Sequence, residues 1–265
     1  MTLTTATEGS SGLPDRRVFD ALAGLGGYFE LVPLDSAASG GLHSFAELYG
    51  TPELLDARIA WVAHRYGPVE PRVSASVAHL GFAARLVSPA LAAACAGTVL
   101  DVPAASLLWR EGSERVTSWL AGPYGAAAVP DGADGAAELL RQSLVERHLR
   151  PLGAAVRSRV RVSERLLWGN AAAAVGGAVQ MISLKRPEWA DRAAAIATAL
   201  VERAPLAGLG HLVRPDADRP HRFFVRRSCC LYYRAPEGGK CGDCALLDSG
   251  TRARRWRSAM ADPAV

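Results

Sequence analysis

Lysine is scarce in this sequence, and charged residues in general are few. Only Lys185 and Lys240 are lysines among 30 basic residues, so the arginine content reflects a compositional bias and is weak evidence of function. Charged residues make up 21% and apolar residues 49% of the 265 residues. Globular domains have about 25% and roughly 45 to 50%, so the composition argues against a disordered chain and against a disulfide-stabilised mini-protein.

Signals for export and for membrane insertion are also lacking. No basic residue precedes Arg16, so a secretory signal with a positive start is missing and we expect a cytoplasmic protein. The uncharged stretch 166–184 approaches the length of about 20 residues that spans a membrane. Because it contains Asn170, Gln180 and many small residues, we expect a buried helix and no membrane span.

Motifs for acid–base, nucleophilic and dinucleotide chemistry are absent. The six histidines show no H-E-x-x-H pattern, and we expect them at the surface or at helix caps. No G-x-G-x-x-G follows a predicted strand, and the nearest approach, residues 24–27, has the wrong spacing. No Ser/His/Asp set stands out. We therefore predict no catalytic side chains of these kinds.

Apolar periodicity predicts a helix-rich α+β fold with a small antiparallel sheet. The clearest helix lies between Thr51 and Gly67, with Pro52 as its first residue. The other predicted helices are residues 72–87, 88–97, 136–150, 163–184 and 187–203. The predicted strands are 99–110 and 116–120, joined by the loop 111–114, and the extended segment 222–234.

The Gly-, Ala-, Asp- and Pro-rich segment 122–135 is predicted to be a loop between two lobes. This divides the chain into a loose leader (1–17), an N-terminal α+β lobe (18–125) and a mainly helical C-terminal lobe (126–265).

Positive charge is concentrated near the carboxyl end. Residues 219–257 carry a net charge of +7, and the rest of the chain carries −3. Such a local field favours an anionic ligand or partner. The arginines around Trp256 are interpreted as a solvated helix face, and we expect no nucleic-acid binding.

Four of the five cysteines lie in a stretch of sixteen residues inside this basic segment. Cys95 stands alone in an alanine-rich helix and is interpreted as a small buried apolar residue. The others form the pattern Cys-Cys, ten residues, Cys-x-x-Cys: Cys229, Cys230, Cys241 and Cys244. In a cytoplasmic protein such a cluster indicates metal binding or catalysis more than a disulfide framework.

Three chemistries fit the cysteine pattern. A structural zinc site suits Cys241-Gly-Asp-Cys244, but adjacent cysteines reach a single tetrahedral ion only through a distorted backbone. A redox dithiol needs a Cys-x-x-Cys that follows a strand and opens a helix, whereas here residues 245–248 lead quickly into Ser249-Gly250. A [2Fe–2S] cluster spreads four thiolates over two irons and so tolerates the vicinal pair.

The string 226–234, together with Cys241-Gly-Asp-Cys244, resembles the C-terminal signature of FhuF-type ferric siderophore reductases. Residues 166–170, Leu-Leu-Trp-Gly-Asn, also resemble a block of this family. From the residues alone, Trp168-Gly169-Asn170 is most simply a packing point, with Asn170 bonded to a buried backbone group, and a role in a substrate pocket is the alternative. The resemblance covers about residues 160–247.

The resemblance implies a cytoplasmic [2Fe–2S] protein that passes one electron to a siderophore-bound Fe(III), with hydroxamate siderophores favoured. It makes all four clustered cysteines ligands, within a cluster-binding segment 222–247. The electron would come from a ferredoxin or a flavin-dependent reductase. Alternatives are a non-enzymatic iron–sulfur sensor or regulator and a structural zinc module.

Four basic residues flank the predicted ligands and are expected to dock the substrate or an acidic electron donor. Their positive charge should also raise the reduction potential of a cluster by stabilising its more negative reduced state. They are Arg226, Arg227, Arg234 and Lys240.

Overall fold

The computed structural model describes residues 16–33, 41–110, 118–120, 124–130 and 132–261. Helices and short strands alternate in its first half. They are α1 (Arg16–Leu25), β1 (Leu31–Pro33), β2 (Leu42–Ser44), α2 (Phe45–Gly50), α3 (Pro52–Tyr66), α4 (Pro71–Cys95), β3 (Thr98–Asp101), β4 (Leu107–Arg110), β5 (Ser118–Leu120) and β6 (Gly125–Ala128).

Helices dominate the second half, which confirms the predicted helix-rich α+β class. The first helix, α5 (Ala133–Leu140), continues through a π-helical stretch (Arg141–Leu149) into α6 (Arg150–Arg159). The remaining elements are α7 (Glu164–Lys185), α8 (Ala190–Val201), β7 (Gly210–Val213), β8 (Phe223–Arg226) and α9 (Ser249–Ala261).

The predicted helix between Thr51 and Gly67 is confirmed as α3. Pro52 is its first residue, and Gly67 ends it with a φ of 80°, which glycine adopts without steric cost. The short helix before it begins with a capping box. The hydroxyl of Ser44 accepts from the N–H of Glu47 at 3.1 Å, and the carboxylate of Glu47 accepts from the N–H of Ser44 at 2.6 Å.

Helix α4 differs from the prediction of two helices, 72–87 and 88–97. It runs without a break from Pro71 to Cys95, with Pro89 in its interior. An interior proline removes one backbone hydrogen bond, but Val87 before Pro89 and Leu91 after it are buried in the core. Packing on neighbouring elements therefore outweighs the local stop signal.

The strands form three small sheets. The largest has the order β1–β5–β4–β2, in which β1 and β5 are parallel and the other neighbours are antiparallel. The other two are the antiparallel pairs β3–β6 and β7–β8.

The predicted antiparallel pairing of 99–110 with 116–120 is found between β4 and β5, where Leu107 lies opposite Leu120. Residues 104–106 turn the chain, however, so the first segment is two strands, β3 and β4. The predicted loop 111–114 lies outside the described residues. The segment 122–135 is predicted as a loop, but part of it forms β6, which pairs with β3.

Helices α4 and α7 pack against each other at the centre of the molecule. Helix α7 contains the uncharged stretch 166–184 and is buried along most of its length, as predicted. Within the described ranges, α4 is the one helix long and apolar enough to cross a membrane, and 72% of its apolar window is buried inside the protein.

Buried residues form a continuous core from Val18 on α1, through Trp109 on β4, to Phe224 on β8. The division into the lobes 18–125 and 126–265 stays a prediction. Of the predicted leader 1–17, residues 1–15 lie outside the described residues. Arg16 and Arg17 are the first residues of α1 and thus not part of a loose leader.

Candidate metal centre

The four clustered cysteines lie on an irregular segment that follows β8. The strand ends at Arg226, whereas the sequence predicted an extended chain from 222 to 234. Leu231 has a φ of 66°, which lets the chain reverse directly after Cys230, and a 3-10 turn (Tyr232–Arg234) follows. The aromatic composition of the segment favours a strand but does not reveal a reversal that depends on one backbone dihedral.

Backbone amides of the turns are directed at cysteine sulfurs. The N–H of Leu231 donates to Cys229 Sγ at 3.3 Å, and the N–H of Leu246 donates to Cys244 Sγ at 3.4 Å. A hydrogen bond to the charged form of a group stabilises that form. The local turns therefore favour thiolates, which are the metal-binding form of cysteine.

Cys230 and Cys241 bring the two halves of the motif together. Their side chains are in hydrogen-bond contact across the ten-residue spacer. This contact is the main reason why the pKa of Cys230 is lowered to about 6, and the backbone N–H of Tyr232 and the charge of Arg226 add to it. The same contact raises the pKa of Cys241, since the pair holds one proton. The contact therefore favours a thiolate on Cys230.

The four thiols differ in exposure. Cys230 and Cys244 are buried, and Cys229 and Cys241 are half-buried. Among the described residues, no three His, Cys, Asp or Glu side chains are grouped closely enough to hold one metal ion. Cys95 is buried elsewhere, on α4, as predicted.

A chain of buried hydrogen bonds fixes the cysteine segment to α4 and α7. Ser76 Oγ on α4 donates to the carbonyl of Cys230 at 2.7 Å. Asn170 Nδ2 on α7 donates to the carbonyl and the hydroxyl of Ser76, both at 3.0 Å. Arg226 Nη2 donates to Asn170 Oδ1 at 2.8 Å. The predicted bond from Asn170 to a buried backbone group is confirmed, and it forms part of the support of the site.

Two glycines of α7 let β8 and the cysteine segment lie directly on this helix. A Cβ at Gly169 would lie 1.7 Å from Ser228 Oγ and 2.8 Å from Ser228 Cβ. A Cβ at Gly176, two turns later, would lie 2.2 Å from Phe224 Cβ. Both distances are far below van der Waals contact, so any larger residue would push the segment away from the helix.

A cavity of ≈ 330 Å³ lies beside Cys230 and Cys241, between α4, α7, β8 and α9. Its walls are mostly apolar, and the rings of Phe223 and Trp256 stack on one side with centroids 5.3 Å apart. Arg226 also lines this cavity. The chain thus provides a sheltered space next to two of the sulfurs.

Arg226 is an unusual member of this wall because it is only 2% exposed. Its guanidinium donates to Asn170 and, at 3.4 Å, to Ser228 Oγ, and no carboxylate of the described residues forms an ion pair with it. Arg226 Nε and Trp256 Nε1, both buried, have no acceptor within the part of the chain that the structure describes. A buried, unpaired cation is costly.

These residues fit a [2Fe–2S] cluster. The cluster takes four cysteine thiolates, and with those ligands it is an anion in both oxidation states. The segment supplies thiols, amides directed at two of the sulfurs, a buried positive charge and N–H groups that lack acceptors. An anionic, sulfur-rich group satisfies each of these features.

The three other basic residues predicted around the ligands have different surroundings. Arg227 and Lys240 are exposed. Arg234 is exposed as well but forms an ion pair with Glu70, directly before α4. A docking role for these residues and for Arg226 stays a prediction.

Sequence reasoning missed the part that α9 plays in the site. Arg252 Nη2 donates to the carbonyl of Cys244 at 3.2 Å, and Arg255 Nη1 donates to the carbonyl of Lys240 at 2.6 Å. The sequence had indicated a solvated helix face for these arginines. Arg255 and Trp256 follow Arg252 by three and four residues, and this spacing on one helix face was the available signal.

The histidines also differ in part from the prediction. His79 on α4 and His148 in the π-helical stretch are buried, not at the surface. Burial lowers the pKa of His79 to about 3 and lowers the pKa of His148. His148 bonds to the hydroxyl of Tyr49 at 3.1 Å and to the carbonyl of Val102 at 2.8 Å. Apolar neighbours at helical spacing would have indicated this burial.

The segment has a counterpart among known protein families. Residues 226–246 match the family model described as the FhuF 2Fe-2S C-terminal domain. No curated protein is similar enough to the chain to count as a match. The matched residues include all four clustered cysteines, and the match confirms both the resemblance and the cofactor predicted from the motif. The cysteine segment of this chain, residues 226–246, is therefore similar to the [2Fe–2S] C-terminal domain of FhuF.

Proposed function

We propose that the protein is a ferric siderophore reductase, which passes one electron from a [2Fe–2S] cluster to siderophore-bound Fe(III) and releases Fe(II). The observation that carries the proposal is the match of residues 226–246 to a family associated with ferric siderophore reduction. The cavity beside Cys230 and Cys241 supports it.

The proposed ligands are the four cysteines of the segment, Cys229, Cys230, Cys241 and Cys244. The cluster, when bound, supplies a site that accepts and donates single electrons. The chain contributes thiolates, the amides of Leu231 and Leu246 and the anchor from Ser76 to the carbonyl of Cys230.

A single electron is enough to release the metal. Siderophores hold Fe(III) with hard oxygen ligands, and Fe(II), with its lower charge, binds the same ligands more weakly. The reaction needs neither a general base nor a nucleophile. The absence of such a set from the sequence motifs is compatible with this chemistry.

The cavity is the proposed place for part of the ferric complex. Leu80, Phe223 and Trp256 line it, and a chelate bound there lies close to Cys230 and Cys241. A ferric complex of three hydroxamates carries no net charge, whereas one of three catecholates is strongly negative. The apolar walls therefore support hydroxamate siderophores as the preferred class.

The proposed electron donor is an acidic ferredoxin or a flavin-dependent reductase. Arg227, Lys240 and Arg255 are exposed on or near the cysteine segment and offer positive charge to such a partner. Complementary charge speeds the encounter of proteins and loses this effect at high salt. We place the reaction in the cytoplasm, where thiols stay reduced, and the five cysteines are all free thiols.

The test begins with protein purified without oxygen. Iron, acid-labile sulfide and zinc are measured per chain, and electron paramagnetic resonance of the reduced protein identifies the cluster. Two irons and two sulfides are expected. One zinc and no iron would contradict the proposed cofactor and leave a structural zinc module.

Reductase and sensor are then distinguished with substrate. Reduced protein is mixed with a ferric hydroxamate, and we expect its oxidised spectrum to return while a ferrous chelator traps one Fe(II) per electron. The gallium complex of the same hydroxamate has the same shape but cannot be reduced, and serves as the control. A reduced spectrum that persists with every ferric chelate would favour the sensor.

A further inference from the structure

Two neighbouring arginines at the end of β8 have opposite environments. Arg226 is 2% exposed and lines the cavity beside Cys230 and Cys241, whereas Arg227 is exposed to solvent. Sequence reasoning treated both as equal members of a basic patch. The structure separates them, because only Arg226 holds its charge away from water.

The guanidinium of Arg226 is held by neutral groups. Asn170 Oδ1 accepts from it at 2.8 Å, and Asn170 itself is fixed by its two bonds to Ser76. Ser76 in turn donates to the carbonyl of Cys230. One continuous network therefore ties the position of the charge to the backbone of a proposed ligand.

An acidic side chain lies on the same cavity but does not neutralise Arg226. Asp243 stands between Cys241 and Cys244, and its carbonyl accepts from the N–H of Arg226 at 3.3 Å. Its carboxylate forms no ion pair with Arg226. The positive charge is thus left for an anionic group held by the neighbouring cysteine sulfurs.

We propose that Arg226 is the counter-charge of the cluster and raises its reduction potential, and that Asn170 and Ser76 are positioning residues for its guanidinium. The proposal rests on the proposed cofactor. Reduction adds one electron and hence one negative charge to the cluster, so a fixed cation nearby stabilises the reduced state more than the oxidised state. Away from water this interaction is weakly screened, whereas the charge of Arg227 is screened by solvent and salt.

The assay is a potentiometric titration followed by electron paramagnetic resonance, without siderophore, on wild type and four variants. Arg226→Gln removes the charge, and Arg226→Lys keeps it. Arg227→Gln is the matched exposed control. Asn170→Asp leaves Arg226 in place but sets a carboxylate against its guanidinium.

Arg226→Gln is expected to lower the equilibrium constant for reduction by about tenfold, which is about 59 mV for a one-electron couple. Asn170→Asp is expected to shift the potential in the same direction. Arg226→Lys and Arg227→Gln should stay within about threefold of wild type, because lysine keeps the buried charge and the charge of Arg227 is screened by solvent and salt.

The proposal is overturned if Arg226→Gln keeps the wild-type potential, if Arg227→Gln shifts it as far, or if Arg226→Lys shifts it as far as Arg226→Gln. Should Arg226→Gln bind no cluster, loading of Arg226→Lys supports a counter-charge, and failure of Arg226→Lys to load refutes it.

The outcome is separable from that of the proposed function. A wild-type protein without a cluster would refute the cofactor, and no potential could be measured. A wild-type cluster that never reduces a ferric chelate would refute the reductase, while the potentials of the variants still test Arg226.

Discussion

Gly176 and Gly177 are adjacent in helix α7 but differ in their contacts. We expect alanine to destabilise the protein at Gly176 and to stabilise it at Gly177. A Cβ at Gly176 would lie 2.2 Å from Phe224 Cβ and 2.4 Å from Phe224 Cγ, whereas a Cβ at Gly177 would meet nothing within 4 Å. Carbon atoms pack at about 3.5 to 4.0 Å. The root of the Phe224 side chain cannot rotate away, so Gly176→Ala requires β8 to move off the helix by more than about 1 Å.

The expected change in the free energy of unfolding follows from two opposing effects. Alanine in a helix is more stable than glycine by about 0.5 to 1 kcal/mol, and overpacking a core costs about 1 to 3 kcal/mol. Gly177→Ala should therefore gain up to about 1 kcal/mol, and Gly176→Ala should lose up to about 2 kcal/mol. At roughly 2 to 4 °C per kcal/mol, their thermal midpoints should differ by several degrees.

The two variants are compared by thermal unfolding at equal cluster loading. Gly176→Ala should also load less iron, because β8 leads directly into the cysteine segment. Equal midpoints for Gly176→Ala and Gly177→Ala would show that β8 does not lie against α7 as described, and the close approach of the cysteine segment to this helix would be wrong.

Three further predictions concern the ligands, acid stability and partner docking. Alanine at any proposed ligand should abolish the stoichiometric iron and sulfide, whereas Cys95→Ala should retain both. The pKa of His79 is about 3 in the folded protein and about 6.5 when unfolded. The free energy of unfolding should therefore not depend on His79 above about pH 6.5, and below that pH it should fall by up to about 1.4 kcal/mol per pH unit. His79→Gln should flatten the dependence of the urea midpoint on pH. If an acidic donor docks at the site, Arg255→Gln should slow reduction by that donor at low salt and have little effect at high salt, and an effect independent of salt would count against charge-guided docking. The ligands to be replaced are Cys229, Cys230, Cys241 and Cys244.

The sequence was most informative where the signal is local. Pro52 and Gly67 mark the ends of α3, and the spacing of the four cysteines, with the resemblance it carries, predicts the cofactor that the family match confirms. Each of these signals depends on residues close together in the chain. No contact with a distant element is needed to interpret them.

The errors arose where distant contacts decide the structure. Pro89 predicted a break, but the core around α4 holds the helix together. The burial of Arg226 depends on Asn170, which is 56 residues away, so charge counting placed Arg226 in a surface patch. The reversal at Leu231 depends on one left-handed residue that composition does not reveal.

The bond from Ser76 to the carbonyl of Cys230 joins residues 154 positions apart. Contacts this far apart close late, because the entropy of a long loop must be lost before they form. The segment with the cysteines also leaves the ribosome after α4 and α7, the helices to which it is fastened. We therefore expect the core to mature first and iron and sulfide to be inserted into a largely folded chain, which pulsed hydrogen exchange during refolding would reveal as early protection of α4 and late protection of residues 226–246.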